Sequence, residues 1–149
     1  MDLDLTQEHQ LVRDTVREFA REKVAPVAEE LDRESRFPYE LVAELGELGL
    51  MGLPIPEEYG GAGGDTVSYA LAVEELTRID SSVAITVAAH TSLGTMPILL
   101  FGSEEQKRRW LPDLASGRKL AAFGLTEPGA GSDAGNARTT AELRDGEWV

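Results

Sequence analysis

The sequence predicts a mainly α-helical protein that ends in the beginning of a β-structure. Apolar residues recur at helical spacing through most of the first 117 residues, in segments that begin with capping residues. After Gly117 the pattern becomes strand-like, and the Asp-Gly pair at 145–146 is typical of a tight hairpin turn. We therefore expect a helical domain over residues 1–117 and the incomplete beginning of a β-domain over residues 118–149.

The first part of the chain is predicted to form two helices and a long loop. Thr6 is suited to cap a helix that extends to about Leu31, and Pro26 is expected to kink or break it. A second helix begins near Pro38, because proline fits the first turn of a helix. Two prolines and five glycines then make residues 50–65 an ordered loop.

Two later helices carry clear start signals. Asp65 is placed to cap a helix that extends to about Ile79. The motif SEEQ at 103–106 is a capping box, in which the serine and the glutamine satisfy each other's backbone N–H groups. It predicts a short helix through Trp110.

The helix between these two has no Asp, Glu, Lys or Arg in residues 81–103. Its length would suit a membrane span. Serines, threonines, His90 and Pro97 interrupt its apolar runs, however, so we interpret it as a buried helix of a soluble protein.

Composition restricts the partners. The chain has 14 basic and 27 acidic residues, for a formal charge of −13, so nucleic acid and anionic membranes are expected to be repelled. It has no cysteine and two histidines, and no metal-ligand cluster is visible. The N-terminus lacks the features of a signal peptide, and we expect a cytoplasmic protein.

Strand signals are confined to the end of the sequence. Residues 120–127 are predicted to form one strand, and residues 137–143 alternate in the manner of another. A second hairpin strand has only begun at Trp148 when the sequence stops. Because a strand without its partner leaves backbone groups unpaired, we interpret the chain as a fragment of a longer protein.

The composition of the stretch LTEPGAGSDAGNARTT (residues 125–140) does not suit a hydrophobic core, but it suits a ligand-binding loop. Gly129, Gly131 and Gly135 allow positive φ angles and close backbone approach. Successive N–H groups in such a loop bind anions, and Ser132 adds a hydroxyl donor. A phosphate-rich ligand is one interpretation, and a plain turn between strands is the other.

Other motifs do not fit. The spacing Gly129-x-Gly131-x-x-Ala134 is similar to a dinucleotide fingerprint, but a strand and a hairpin follow where a helix is required. The P-loop pattern lacks its Gly-Lys-Ser/Thr ending. Ser132 is a poor nucleophile candidate, because neither His9 nor His90 stands at a triad spacing. His90 is more typical of a packed core histidine than of a ligand.

Several motifs together resemble the acyl-CoA dehydrogenase family. AFGLTEPGAGSD (residues 122–133) resembles the flavin signature of that family. PEEYGG (56–61), SLGxxP (92–97), GSEEQK (102–107) and Leu111-Pro112 follow the family's order and spacing. The resemblance covers essentially the whole chain. It implies an all-helical N-terminal domain followed by the truncated start of a β-barrel-like middle domain.

The resemblance also implies a cofactor site for FAD. Phe123, Leu125 and Thr126 would lie against the isoalloxazine ring, and the Thr126 hydroxyl and N–H would face its polar edge. Gly131 and Ser132 would meet the pyrophosphate, and Ser132 would also approach the acyl-CoA. An apolar strand beside a flat ring and a glycine loop around a diphosphate agree with the residue chemistry.

The reaction that the resemblance implies is the α,β-dehydrogenation of an acyl-CoA thioester in fatty acid metabolism. The family's catalytic base is a glutamate expected beyond Val149, so no acid of this sequence is assigned as a catalytic residue, and the fragment alone is expected to be inactive. An electron-transferring flavoprotein is the implied acceptor, and a homotetramer the implied assembly.

The uncharged helix is a candidate lining for the acyl pocket. By spacing from Pro97, the candidate substrate-binding residues are Ile85, Thr86, Ala89, His90 and Leu93. Ordinary helix–helix packing is the alternative for each of them. For the whole protein, two alternative functions also remain open: a flavin monooxygenase or nitroalkane oxidase on the same fold, and a non-catalytic helical interaction module.

Overall fold

The computed structural model describes residues 4–149 and confirms the mainly helical fold. Short 3-10 turns at Leu50–Gly52 and Glu57–Tyr59 shape the loop between the third and fourth helices. The helices of the described residues are α1 (Gln7–Phe19), α2 (Ala25–Glu34), α3 (Tyr39–Glu47), α4 (Thr66–Thr77), α5 (Ser81–Ala89), α6 (Met96–Phe101) and α7 (Glu104–Ala115).

Local side chains set most helix starts. The predicted capping box at α7 is present, since Ser103 Oγ accepts from Gln106 N–H and the Gln106 side chain accepts from Ser103 N–H. Thr6 caps α1, and Asp65 caps α4 by accepting from a backbone N–H in its first turn. Asp80 caps α5, which begins at Ser81, by accepting from Val83 N–H.

Two long helical stretches each widen into a π-helical turn just before a proline. The turns are Ala20–Val24, followed by Pro26, and His90–Thr95, followed by Pro97. In each, the backbone N–H after the turn bonds to the carbonyl five residues earlier. A proline ring clashes with the carbonyl four residues before it in a regular helix, and the wider turn gives the ring room. The chain therefore remains helical across both prolines.

The main core lies where α1 packs along α4 and α4 packs along α5. A second cluster holds α7 against the loop and contains Ile55, Tyr59, Leu111 and Ala115. The buried residues of the main cluster are Val16, Phe19, Ala20, Val24, Leu31, Leu41, Val42, Leu45, Leu50, Met51, Leu53, Ala72, Leu76, Val83, Ala84 and Val87. The helices therefore enclose a continuous apolar interior.

The predicted end of α7 at Trp110 is wrong, because the helix continues through Pro112 to Ala115. A proline inside a helix removes one hydrogen bond, and here the carbonyl that loses its donor belongs to the exposed Arg108. Leu111 and Leu114 are buried in the same turns. Their burial offsets the lost bond, and a carbonyl near the surface remains open to water.

The C-terminal part contains less strand than predicted. The hairpin turn is confirmed, with β1 (Leu143–Arg144) antiparallel to β2 (Glu147–Trp148). The strand predicted over 137–143 is wrong for residues 137–142, which form no strand in the described part of the chain. Asp145 and Gly146 have positive φ angles of 51° and 86°, as the two-residue turn requires. The predicted strand over 120–127 is wrong for the described residues, where its one pairing is the bridge from Glu127 to Ala130. A strand needs a neighbour, and residues 4–149 provide none beside it.

The helical stretch Ser81–Phe101 is long and apolar enough to cross a membrane by length and composition. Of the most apolar part of this stretch, 33% is buried inside the bundle. Core helices of soluble proteins pass the same test, so this one stretch is weak support for a membrane span.

Candidate functional site

The segment that leads into the glycine-rich loop lies at the surface. Phe123 and Leu125 are 54% and 43% exposed, and Thr126 is exposed as well. Within residues 4–149, neither the N–H nor the hydroxyl of Thr126 has a hydrogen-bond partner. This segment thus presents two apolar side chains beside unengaged polar groups, a combination that suits a ligand with an apolar face and a polar edge.

A tight turn over residues 127–130 begins the loop. Glu127 N–H donates to Ala130 O at 2.9 Å, and Ala130 N–H donates to Glu127 O at 3.1 Å. Pro128 suits the second position of such a turn because its φ angle is already set. Ala130 is 2% exposed. The turn therefore fixes the direction in which the backbone continues into Gly131 and Ser132.

The Glu127 carboxylate ties this turn to the far side of the loop. It accepts from Arg138 N–H at 2.8 Å, from Thr139 N–H at 2.9 Å and from the Thr139 hydroxyl. The bond from Arg138 N–H, followed by the two from Thr139, holds the pKa of Glu127 below its ordinary 4.5. Sequence reasoning missed this role, although Glu127 is one of two carboxylates in a run of small residues and was a usable signal.

Gly131 and Ser132 face open space. A Cβ atom added to Gly131 would meet no atom within 4 Å. Within residues 4–149 their N–H groups and the Ser132 hydroxyl donate no hydrogen bond. The predicted use of positive φ angles in this loop is wrong, because Gly129, Gly131 and Gly135 all lack them. The free donors nevertheless suit an anionic group, and nothing in the described residues requires glycine at position 131.

The candidate substrate-lining residues occupy different depths. Ile85 and Leu93 are 62% and 48% exposed, and Ala89 between them is partly buried. Thr86 is partly buried, and its hydroxyl donates to Ser82 O at 2.9 Å, which leaves only its methyl group for an apolar wall. Ile85 also lines a shallow groove of about 480 Å³ between α4 and α5.

His90 is placed differently from these four, since it is 2% exposed. Its Nε2 lies 3.1 Å from Leu114 O, and its Nδ1 accepts from Ala121 N–H at 3.0 Å. Burial lowers the pKa of His90 from its ordinary 6.5, while the bond to Leu114 acts in the other direction. Both ring nitrogens are thus engaged with backbone, so His90 has no free polar atom for a ligand.

A cleft of about 260 Å³ lies next to this histidine, between the π-helical turn, α7 and the segment after Gly117. Its lining is mostly apolar, with Lys119 at one side. The lining residues are Gly94, Ile98, Trp110, Leu114, Lys119, Leu120, Ala121 and Ala122. Among the described residues 4–149, no group of three or more His, Cys, Asp or Glu side chains is arranged to hold a metal ion.

The fold and the site define a protein in which a helical bundle leads into an open loop with free backbone donors. Comparisons with known proteins identify its family. The model of the acyl-CoA dehydrogenase N-terminal domain matches residues 6–118. The chain belongs to the acyl-CoA dehydrogenase family. An acyl-CoA dehydrogenase of Bacillus subtilis is 51% identical over 147 residues, which is 99% of this chain and 39% of the relative.

Solved structures show the same similarity. The FAD-complexed acyl-CoA dehydrogenase of Bacillus anthracis has a TM-score of 0.91 and 48% identity, over 98% of this chain and 25% of that one. A structure of the electron transferring flavoprotein of Acidaminococcus fermentans has a TM-score of 0.96 and 45% identity, over 100% and 39%. The chain spans 36–39% of the length of the curated relatives that it matches.

Proposed function

We propose that the whole protein catalyses the FAD-dependent α,β-dehydrogenation of an acyl-CoA thioester. The observation that carries this proposal is the loop at Gly131 and Ser132, whose donors are unengaged within residues 4–149 and face open space. Membership of the family and similarity to an FAD-complexed relative support FAD as the ligand of that loop.

The proposed flavin contacts follow from the chemistry of the segment. Phe123 and Leu125 are apolar and would form one wall against a flat aromatic ring. Thr126 would donate its hydroxyl and N–H to the polar edge of that ring. The N–H groups of Gly131 and Ser132 and the Ser132 hydroxyl would bind the pyrophosphate, because adjacent backbone donors stabilise negative charge.

The reaction removes a proton from the α-carbon and a hydride from the β-carbon of the thioester. Bound FAD supplies the hydride acceptor. The part of this chain is to bind and orient: the wall of Phe123 and Leu125 excludes water, and Thr126 offers donors where negative charge develops. We assign the catalytic base to none of the acids of this sequence.

The proposed substrate contacts lie on α5 and on the loop. Ile85, Thr86, Ala89 and Leu93 would line the acyl chain, and Ser132 would approach the thioester. Ile85, Ala89 and Leu93 recur every four residues, which supports a shared face, and at least part of each side chain is accessible. His90 was also predicted to contact substrate, but its burial supports a different role, argued below.

The proposal extends to the setting of the protein. We propose residues 1–117 as the helical domain and 118–149 as the start of the flavin domain, supported by the end of α7 at Ala115 and the positive φ of Gly117. We propose an electron-transferring flavoprotein as acceptor, a homotetrameric assembly and a cytoplasmic location without a nucleic-acid or membrane partner. The Acidaminococcus and Bacillus similarities support the acceptor and the bacterial setting.

The test uses the whole protein loaded with FAD, and it measures flavin affinity by fluorescence and acyl-CoA-dependent dye reduction. In Gly131→Val a side chain would occupy the space in front of the donors, and FAD affinity should fall at least about tenfold. Ser132→Ala should lose one hydrogen bond to a charged group, worth on the order of 1.5–3 kcal/mol at most.

Gly135→Val is the matched control, because Gly135 is an exposed glycine of the same loop without a positive φ angle. It should bind FAD as the wild type does. Equal flavin retention in Gly131→Val, Ser132→Ala and the wild type would show that the loop does not hold the phosphates.

A further inference from the structure

The buried imidazole of His90 links two parts of the proposed site. One is α5, which carries the proposed acyl-binding residues, and the other is residues 120–126, which carry the proposed flavin-binding residues. His90 stands at the end of α5, one residue after Ala89 and five after Ile85. Its Nδ1 accepts from Ala121 N–H at 3.0 Å, two residues before Phe123. No other side-chain hydrogen bond within residues 4–149 connects residues 120–126 to this helix.

The two bonds of His90 select one form of the ring. Ala121 N–H requires an acceptor at Nδ1, and Leu114 O requires a donor at Nε2. Only the neutral ring with its proton on Nε2 meets both requirements. Thr95 stabilises the π-helical turn that contains His90, since its hydroxyl donates to His90 O at 2.8 Å. The imidazole is therefore held in one orientation by two parts of the chain, and a third bonds to the His90 backbone.

Close backbone packing reinforces the junction. A Cβ atom added to Gly94 would stand 2.2 Å from the Cβ of Ala121, so the segment lies directly against the π-helical turn. Real Cβ atoms essentially never approach so closely, and only glycine fits at position 94. The Gly94 contact fixes the separation of helix and segment, and the His90 bond fixes which residue of the segment stands there.

We propose, on the basis of the proposed function, that His90 is a positioning residue for the reaction. By holding Ala121 against the helix, it sets where Phe123, Leu125 and Thr126 stand relative to Ile85, Ala89 and Leu93. The distance between the β-carbon of the acyl chain and its hydride acceptor then depends on this junction. His90 itself touches neither substrate nor cofactor.

The experiment separates the two bonds of the ring in the whole protein. An asparagine amide reaches the level of Nδ1, so His90→Asn retains an acceptor for Ala121 N–H and loses the bond to Leu114. A glutamine amide reaches the level of Nε2, so His90→Gln retains the donor to Leu114 and loses the bond to Ala121. The two variants thus remove the same ring and differ in the bond that they keep.

We expect the rate of flavin reduction at saturating acyl-CoA to fall at least about tenfold in His90→Gln, because displacement of reacting groups lowers the rate of the chemical step. KM should change by less than about threefold, since the acyl wall itself is intact. His90→Asn should remain within about threefold of the wild type in both. Hydrogen exchange at the Ala121 amide should be fast in His90→Gln and slow in the other two proteins.

Several outcomes would overturn the positioning role. Equal rates in the two variants, or a fall in His90→Asn alone, would assign the histidine to packing. If neither variant folds, Ala121→Pro removes the same donor from the other side, and a wild-type rate of flavin reduction in it overturns the role. A wild-type protein that takes up no FAD overturns the proposed function, and the positioning role with it.

Discussion

Two threonines in the π-helical turn before Pro97 are both 0% exposed but differ in hydrogen bonding. Thr95 donates to His90 O, whereas Thr91 Oγ1 has no partner within residues 4–149. A buried hydroxyl without a partner costs about 1–3 kcal/mol, so Thr91→Val should raise the free energy of unfolding by up to about 1 kcal/mol. Thr95→Val should lower it by about 1–2 kcal/mol. Urea denaturation measures both, and equal losses in the two variants would contradict the assignment.

The buried histidine should make stability depend on pH. Burial lowers the pKa of His90 below 6.5 in the folded protein, so between the folded and unfolded pKa values the unfolded chain binds more protons. The free energy of unfolding should therefore be highest above pH 6.5. It should fall as the pH drops below 6.5, and it should level off once the pH is below the pKa of the folded state. Denaturation curves across this range test the slope. His90→Asn is the control, and an unchanged slope in it would place the effect elsewhere.

At the scale of elements, one ion pair connects the two helices with the most extensive packing. Arg17 on α1 donates to both carboxylate oxygens of Glu75 on α4, at 3.0 and 2.8 Å. Glu75 is 4% exposed, and the Arg17 side chain is 33% exposed. The hydrogen bonds from Arg17 lower the pKa of Glu75, which keeps the carboxylate charged in the interior.

Removal of one partner should cost more than removal of both. Arg17→Met leaves a buried carboxylate without its cation and should be strongly destabilised, whereas Arg17→Met with Glu75→Leu replaces the pair by apolar contacts. The double variant should therefore be more stable than Arg17→Met alone. A double-mutant cycle of denaturation free energies measures this, and simple additivity of the two single changes would contradict it.

Two glycines mark the difference between a structural and a ligand-related constraint. Gly94→Ala forces a Cβ against Ala121 and should destabilise the fold by about 1–3 kcal/mol. Gly131→Ala meets open space and should change the free energy of unfolding by less than about 0.5 kcal/mol. In the whole protein it should still weaken FAD retention. Thermal unfolding and flavin release, measured on the same samples, separate the two effects.

At the scale of the whole molecule, the apolar side chains of Phe123, Leu125 and Trp148 are all exposed in residues 4–149. Under the proposed function, Phe123 and Leu125 would form one wall against the flavin. We therefore expect a separate polypeptide of residues 1–149 to fold in its helical part, which has its own core, but to hold FAD weakly and to oxidise no acyl-CoA. Circular dichroism, flavin titration and dye reduction test this. Stoichiometric yellow protein with turnover would require a catalytic base among the acids of this chain.

Features that depend on neighbours in the sequence were predictable. The caps at Thr6, Asp65 and Ser103 and the turn at Asp145-Gly146 are confirmed, because capping and hairpin turns use groups within four residues. Periodic apolar residues indicated the helical bundle in the same way. The loop at 125–140 could be recognised from its composition and its motif, although its flavin role remains a prediction.

Features that depend on distant partners were decided by the tertiary structure. Residues 120–127 have strand propensity but no adjacent strand among residues 4–149, and α7 continues through Pro112 because Leu111 and Leu114 are buried by other elements. Glu127 bonds to Thr139, and His90 to Ala121, across 12 and 31 residues of sequence. The sequence by itself determined the helices, their caps and the loop chemistry. Only the fold decided which strands find partners and which groups His90 and Glu127 bond to. A long-range hydrogen bond requires two groups distant in sequence to lie close in space, and no local pattern encodes that distance.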